Sequence, residues 1–176
     1  MENEVSYQYA KALFELTTSK EDKMTDLANL KVLSEVLLKE DVMKVFKHPT
    51  ITKDAKKELI EQVLKGKVAP SFLYFVFVLI DNQRLEDLSA ICESYESLLD
   101  NYLGQVRVLA RSKYPLNDEI RNEIKKYLKK YYQKEIILKE MIDENQPHGL
   151  LISSGNEIID LTLATKLNQL VNNLKG

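Results

Sequence analysis

Residues 102–112 read YLGQVRVLARS. Up to Gly104 the apolar residues recur every third or fourth position. Beyond it Val106, Val108 and Ala110 alternate with polar or charged neighbours, except at Leu109. The first spacing is that of a helix with a buried face, the second that of a half-buried strand. Gly104 therefore predicts a division into a helical part, 1–103, and a mixed part, 104–176.

Working back from the glycine, Leu85, Leu88, Ile91, Tyr95, Leu98 and Tyr102 fall in register on one helix. Before it, PSFLYFVFVLI opens on Pro70, suited to a first-turn position, and is apolar nearly all round, so it is expected at the centre. Its least apolar side carries Ser71, Tyr74, Val78 and Asp81. Thr52 is positioned to cap a helix in KDAKKELIEQVLK, which Gly66 ends. A short helix is expected at 41–46 and a longer one at 20–38, with Met24, Leu27, Leu30 and Leu37 inward. The first helix carries two stripes, one of Val5, Tyr9, Ala12, Leu13 and Leu16, the other of Tyr7, Ala10 and Phe14. A surface helix needs one stripe; the second is expected to meet either a neighbour or a partner.

Working forward, Pro115 closes the strand and Asn117 caps a basic helix, DEIRNEIKKYLKKYYQK. EIILKEMID reads as a second strand with a continuous apolar centre. GLLISS and EIIDL form a hairpin around Ser154, Gly155 and Asn156. A last helix, LTLATKLNQLVNNL, aligns Leu163, Leu167, Leu170 and Leu174. The expected fold is mostly α: an N-terminal six-helix bundle followed by a small α/β C-terminal domain in the order β-α-β-β-β-α.

The 176 residues carry a net charge of −2, which gives no general reason to expect nucleic acid. Residues 1–103 hold 13 basic and 18 acidic side chains, and 104–176 hold 12 and 9, so the halves differ in sign. One cysteine, Cys92, excludes an internal disulfide and fits a reducing compartment, its place being an apolar helix face. The acidic start, MENEVSYQYA, lacks a signal-peptide pattern. The longest apolar run, 72–80, is about half the ~20 residues of a membrane span.

Reactive chemistry is missing. The five glycines, at 66, 104, 149, 155 and 176, permit no dinucleotide or phosphate loop. Two histidines, His48 and His148, and one cysteine make a poor metal set. Asp143 and Glu144 are neighbours at a loop and read as solvated. On the basic helix Lys125, Lys126, Lys129, Lys130 and Lys134 interleave with Tyr127, Tyr131 and Tyr132. This permits a second reading, an adaptor that binds nucleic acid through residues 118–134. The plainer reading is an amphipathic helix whose lysines point outward while Ile120, Ile124, Leu128 and Tyr131 pack on the sheet.

Five stretches carry a resemblance: YAKALFEL at 9–16, FKHPTIT at 46–52, NQRLEDLSAICESYESL at 82–98, QVRVLARSKYPL at 105–116 and PHGLLISSGNEIIDLTLATKLNQL at 147–170. In order and spacing they resemble the delta subunits of F-type ATP synthases, relatives of the mitochondrial oligomycin-sensitivity-conferring protein. The match covers essentially the whole chain. It departs at His148-Gly149, where the family has two glycines, and at 160–164. The resemblance implies a stator subunit without catalytic, metal or cofactor site, peripheral on the cytoplasmic face of the membrane and attached only through its complex. It implies that the helical part binds the N-terminal helices of alpha subunits, with helices one and five as the groove. Tyr9, Ala12, Leu16, Tyr74 and Val78 are the expected contacts. The second part is then expected to bind the C-terminal end of the b subunits through Gly149, Leu151 and Ile158 or Ile159.

Overall fold

The computed structural model describes residues 4–144, 150–155 and 157–160. The chain divides into two compact units, Met1–Leu99 and Asp100–Gly176.

The first unit is helical. It contains α1 (Glu4–Leu16), α2 (Lys20–Leu37), α3 (Glu40–Lys47), α4 (Lys53–Leu64), α5 (Pro70–Asp81), a 3-10 turn at Leu85–Asp87, and most of α6 (Leu88–Leu103). Its ends follow local chemistry. The Ser19 and Thr52 hydroxyls accept the Asp22 and Ala55 amides at 3.0 and 3.3 Å, satisfying donors that a helix start leaves open. Gly66, at φ +76°, closes the turn after α4 in the left-handed region. Pro70 starts α5 without a missing hydrogen bond.

α5 is the centre of this unit. It packs against α1 and α4 and buries Phe72, Phe75, Val76, Leu79 and Ile80. Leu13, Leu30, Leu88, Ile91, Tyr95 and Leu99 complete the core. Each such side chain contributes about 1.5–3 kcal/mol by leaving water. Cys92 belongs to the same buried face, and burial pushes its thiol up from its ordinary value.

Two inward assignments need correction. Met24 is 51% exposed, not inward. α2 turns Leu27, Leu30, Leu33 and Leu37 to the core, and that face continues backward through Asp26 and Lys23, both buried. Met24 lies across the helix from them. Likewise Tyr102 is exposed, because the first unit ends at Leu99 and the last turn of α6 lies beyond it.

The second unit contains β1 (Gln105–Ser112), α7 (Asp118–Tyr132), β2 (Glu135–Ile142), β3 (Leu150–Ser154) and β4 (Glu157–Asp160). The sheet order is β2-β1-β3-β4. β1 and β2 are parallel, with α7 as the crossover; β3 runs antiparallel to both β1 and β4. The pairs Val106–Ile136, Val108–Leu138, Ala110–Ile152 and Ile152–Ile159 put one set of side chains on a common face. Ile124 and Leu128 of α7 join that face in one core cluster. Asn117 caps α7 by accepting the Ile120 amide at 2.8 Å. Gly155, at φ +55°, stands in the two-residue link between Ser154 and Glu157.

The structure corrects two expectations here. Ile120 and Tyr131 are exposed rather than packed on the sheet. β2 is an edge strand with Ile136 and Leu138 inward, while Ile137, Met141 and Ile142 are exposed. α7 covers one face of the sheet, which leaves Ile137 and Met141 on the other, while Ile142 shares the parity of Ile136 and Leu138 but stands at the end of the strand. The expected last helix, His148 and Gly149 lie outside the described residues.

Gly104, at φ +64°, turns the chain from α6 into β1. Across this turn the largely buried Asp100 carboxylate accepts from Gln105 Nε2 at 2.8 Å and Arg107 Nε at 2.6 Å. Asp100→Ala in the full chain is therefore expected to cost about 2 kcal/mol, since hydrogen bonds to a charge are lost and partly buried donors stay behind. Faster amide exchange in β1, with α5 unaffected, is the measurement; unchanged protection of β1 contradicts the role.

Candidate functional site

The five residues expected on the first surface fall on two helices that touch, α1 and α5. Ser6, Ala10 and Leu13 are the buried face of α1. Val5, Tyr9, Ala12 and Leu16, spaced by four, three and four, form a separate stripe. Leu16 is 62% exposed, Ala12 exposed and Tyr9 half-buried. On α5, Tyr74 is 69% exposed and Val78 half-buried. The core uses Ala10 and Phe14 of the second stripe together with Leu13, which the sequence pattern puts on the first and the structure turns inward: Ala10 and Leu13 are fully buried, and the Phe14 ring meets Tyr95 edge-on at 5.5 Å. The split among the apolar residues is therefore sharp, with Leu13 inside and its neighbour Ala12 outside.

The end of α1 is held by charge. Lys23 Nζ donates to the Phe14 and Thr17 carbonyls, two of the groups a helix end leaves unsatisfied, and lies 3.7 Å from the Phe14 ring centroid. Thr17 Oγ1 donates to Asp26 Oδ2 at 2.7 Å. Burial, with help from Asp22, raises the Asp26 pKa above the ordinary carboxylate value, although Thr17 and Lys23 oppose it. A raised folded pKa means that Asp26 contributes stability at acid pH and loses it as pH rises through that value. Asp26→Asn is thus expected to gain stability relative to the native chain as pH goes from about 4 to about 7. Urea titrations at both ends of that range measure the difference; a constant gap excludes the linkage. Sequence reasoning missed this cluster. The one signal was that the leucine face of α2 runs back through these two positions.

On the second unit, Ile158 is 65% exposed and Leu151 half-buried, on the sheet face opposite α7. Ile159 instead points to the core with Ile152. Gly149, the remaining expected member, lies outside the described residues. Pairing adds residues that sequence reasoning passed over. Ile137 and Met141 of β2 stand on the same face as Leu151, since Arg107 pairs Ile137 and Arg111 pairs both Met141 and Leu151. No local pattern announces them, because strand order alone brings them together.

The tyrosines of α7 are engaged. Tyr131 and Tyr132 donate to the two carboxylate oxygens of Glu157, each at 2.8 Å, and Lys129 pairs with Glu135. Burial and the Glu157 bond push the Tyr132 phenol up to about 12. These contacts fasten the end of α7 to β4 and to the start of β2. Among the described residues no group of His, Cys, Asp and Glu is arranged to hold a metal ion, and no helix is long and apolar enough to cross a membrane.

Comparison with known proteins agrees with this architecture. A chain of the Toxoplasma gondii mitochondrial ATP synthase hexamer, solved by cryo-electron microscopy, superposes with a TM-score of 0.67 at 18% identity, covering 97% of each chain. That likeness is one of fold. Residues 5–174 match the family model of the ATP synthase delta (OSCP) subunit. The ATP synthase subunit delta of Caldanaerobacter subterraneus subsp. tengcongensis is 32% identical over 176 residues, 99% of this chain and 98% of the relative. That of Clostridium botulinum (strain Loch Maree, type A3) is 31% identical over 164 residues, 93% and 92%. The chain belongs to the ATP synthase delta (OSCP) subunit family.

Proposed function

We propose that the chain is a non-catalytic stator subunit, joining the catalytic head of an F-type ATP synthase to its peripheral stalk and resisting rotor torque. The helical unit takes the N-terminal helices of alpha subunits along α1 and α5, with Tyr9, Ala12, Leu16, Tyr74 and Val78 as contacts. The second unit takes the C-terminal end of the b subunits, with Leu151 and Ile158 as contacts and Gly149 and Ile159 in support. The observation that carries this reading is the apolar stripe of α1 that the core leaves unused beside α5. An amphipathic helix laid on such a surface buries a few anchors and gains affinity from them.

A stator joint must outlast the load on it, which calls for slow release. Nanomolar binding corresponds to about −12 kcal/mol. Two joints on one chain help each other, because closing the first raises the effective concentration at the second. The protein then sits at the cytoplasmic face of the membrane, held there by its complex. Co-purification from detergent-solubilised membranes tests the reading: the head and b subunits are expected to accompany the tagged chain. Recovery of nucleic acid instead, released steeply by salt, would favour the adaptor reading.

A further inference from the structure

A cleft of about 550 Å³ opens in the first unit, away from the α1 stripe. Its walls are Met43, Phe46 and Lys47 of α3, the turn Pro49–Thr52, the start of α4, the end of α5, and the 3-10 turn. The floor is apolar: Met43, Ile80 and Leu85 are buried, and Phe46 and Ile51 are half-buried. The rim is cationic. Lys47, Lys53 and Lys56 line it against one carboxylate, Glu86. This is a local reversal in a part of the chain that is net acidic, with 13 basic and 18 acidic residues over 1–103.

The rim lysines differ in what they already do. Lys47 pairs with Glu86 at 2.9 Å. Lys53 donates to the Asp81 carbonyl at 2.7 Å, while the Asp81 carboxylate is taken by Lys57. Lys56 is half-buried at the rim and, among the described residues, has no ion pair. The first turn of α4 adds its positive end to the same place, and carries Asp54, which is not among the residues lining the cleft. Five short segments ring the cleft, so it does not offer the straight, several-turn groove that a helix needs. Its volume falls within the range of small-molecule sites, about 300–1,000 Å³.

We infer that this cleft binds a small amphipathic anion, whose apolar body rests on Met43, Phe46, Ile51, Ile80 and Leu85 while its anionic head meets Lys56. The site is independent of the stator reading.

Calorimetric titration of the full chain with dodecanoate, below its micelle threshold, tests this. One saturable site is expected, and dodecylammonium, with the same tail and opposite charge, is expected not to fill it. Lys56→Glu should weaken dodecanoate binding at least about tenfold, since attraction becomes repulsion. Lys56→Gln should weaken it less, and Lys67→Glu, off the cleft, not at all. Circular dichroism melts accompany each variant. Equal binding of both amphiphiles, undiminished binding by Lys56→Glu, or no saturable site would each overturn the assignment.

Discussion

Ala12→Asp is expected to abolish binding of a peptide carrying the N-terminal helix of an alpha subunit while the fold survives, with no more than the small loss of helix propensity that Asp brings. The two halves of this result have separate causes. Ala12 is exposed on α1 and contributes nothing to the core, so a carboxylate there remains solvated in the free protein. Once a partner helix covers the stripe, that carboxylate loses its water and gains no cation. An unpaired buried charge costs several kcal/mol, enough to weaken binding by a hundredfold or more. Leu13→Ala supplies the contrast one residue away. Leu13 is fully buried, so its truncation should lower stability by about 2–5 kcal/mol while leaving the stripe intact. Isothermal titration and thermal melts on both variants make the test. An unchanged titration for Ala12→Asp would remove α1 from the contact altogether, because its other stripe is committed to the core through Ala10 and Phe14.

Leu128→Ala is expected to unfold the second unit while the first survives. Leu128 is fully buried where α7 meets the sheet. Among the described residues its cluster is small: Val108, Ala110, Leu116, Ile124, Leu128, Ile136 and Ile152 are the buried members. Truncating a buried leucine costs about 2–5 kcal/mol. A core of this size rarely supplies more than about 3–5 kcal/mol in all. Hydrogen exchange read by mass spectrometry separates the units: amides of β1 and β3 should lose protection while those of α5 keep it. Full protection of the sheet would show that the unit rests on other contacts. Equal loss in α5 would show that the two units unfold as one.

Local chemistry made much of this fold readable. The change of period at Gly104, the caps at Thr52 and Asn117, and Pro70 at the head of α5 each act within a few residues, and each element begins or ends there. The doubled stripe of α1 was equally visible. What the pattern could not decide was which stripe faces inward, since both are apolar and the buried side includes Ser6. On α2 no local pattern marks Lys23 and Asp26 as buried, since charged side chains are rarely fully inside. Their burial depends on α1 ending where its carbonyls can accept from the lysine. The edge position of β2 was likewise hidden, because strand order is a property of the whole sheet. Of the second surface, Ile158 is exposed while Ile159 is turned inward, a choice that pairing with β3 makes and that alternation alone left open.

The lone cysteine has a practical consequence. Cys92 is buried in the first unit, burial raises its thiol pKa and so disfavours the reactive thiolate, and the second unit has no cysteine at all. Alkylation by a thiol reagent in native solution is therefore expected to run mainly through molecules in which that helical core has opened. The labelling rate becomes a clock for opening of one half of the chain, and the other half is silent to it. Run with and without a peptide from the proposed alpha partner, the same clock reports whether that peptide slows the opening, with no label engineered into the chain.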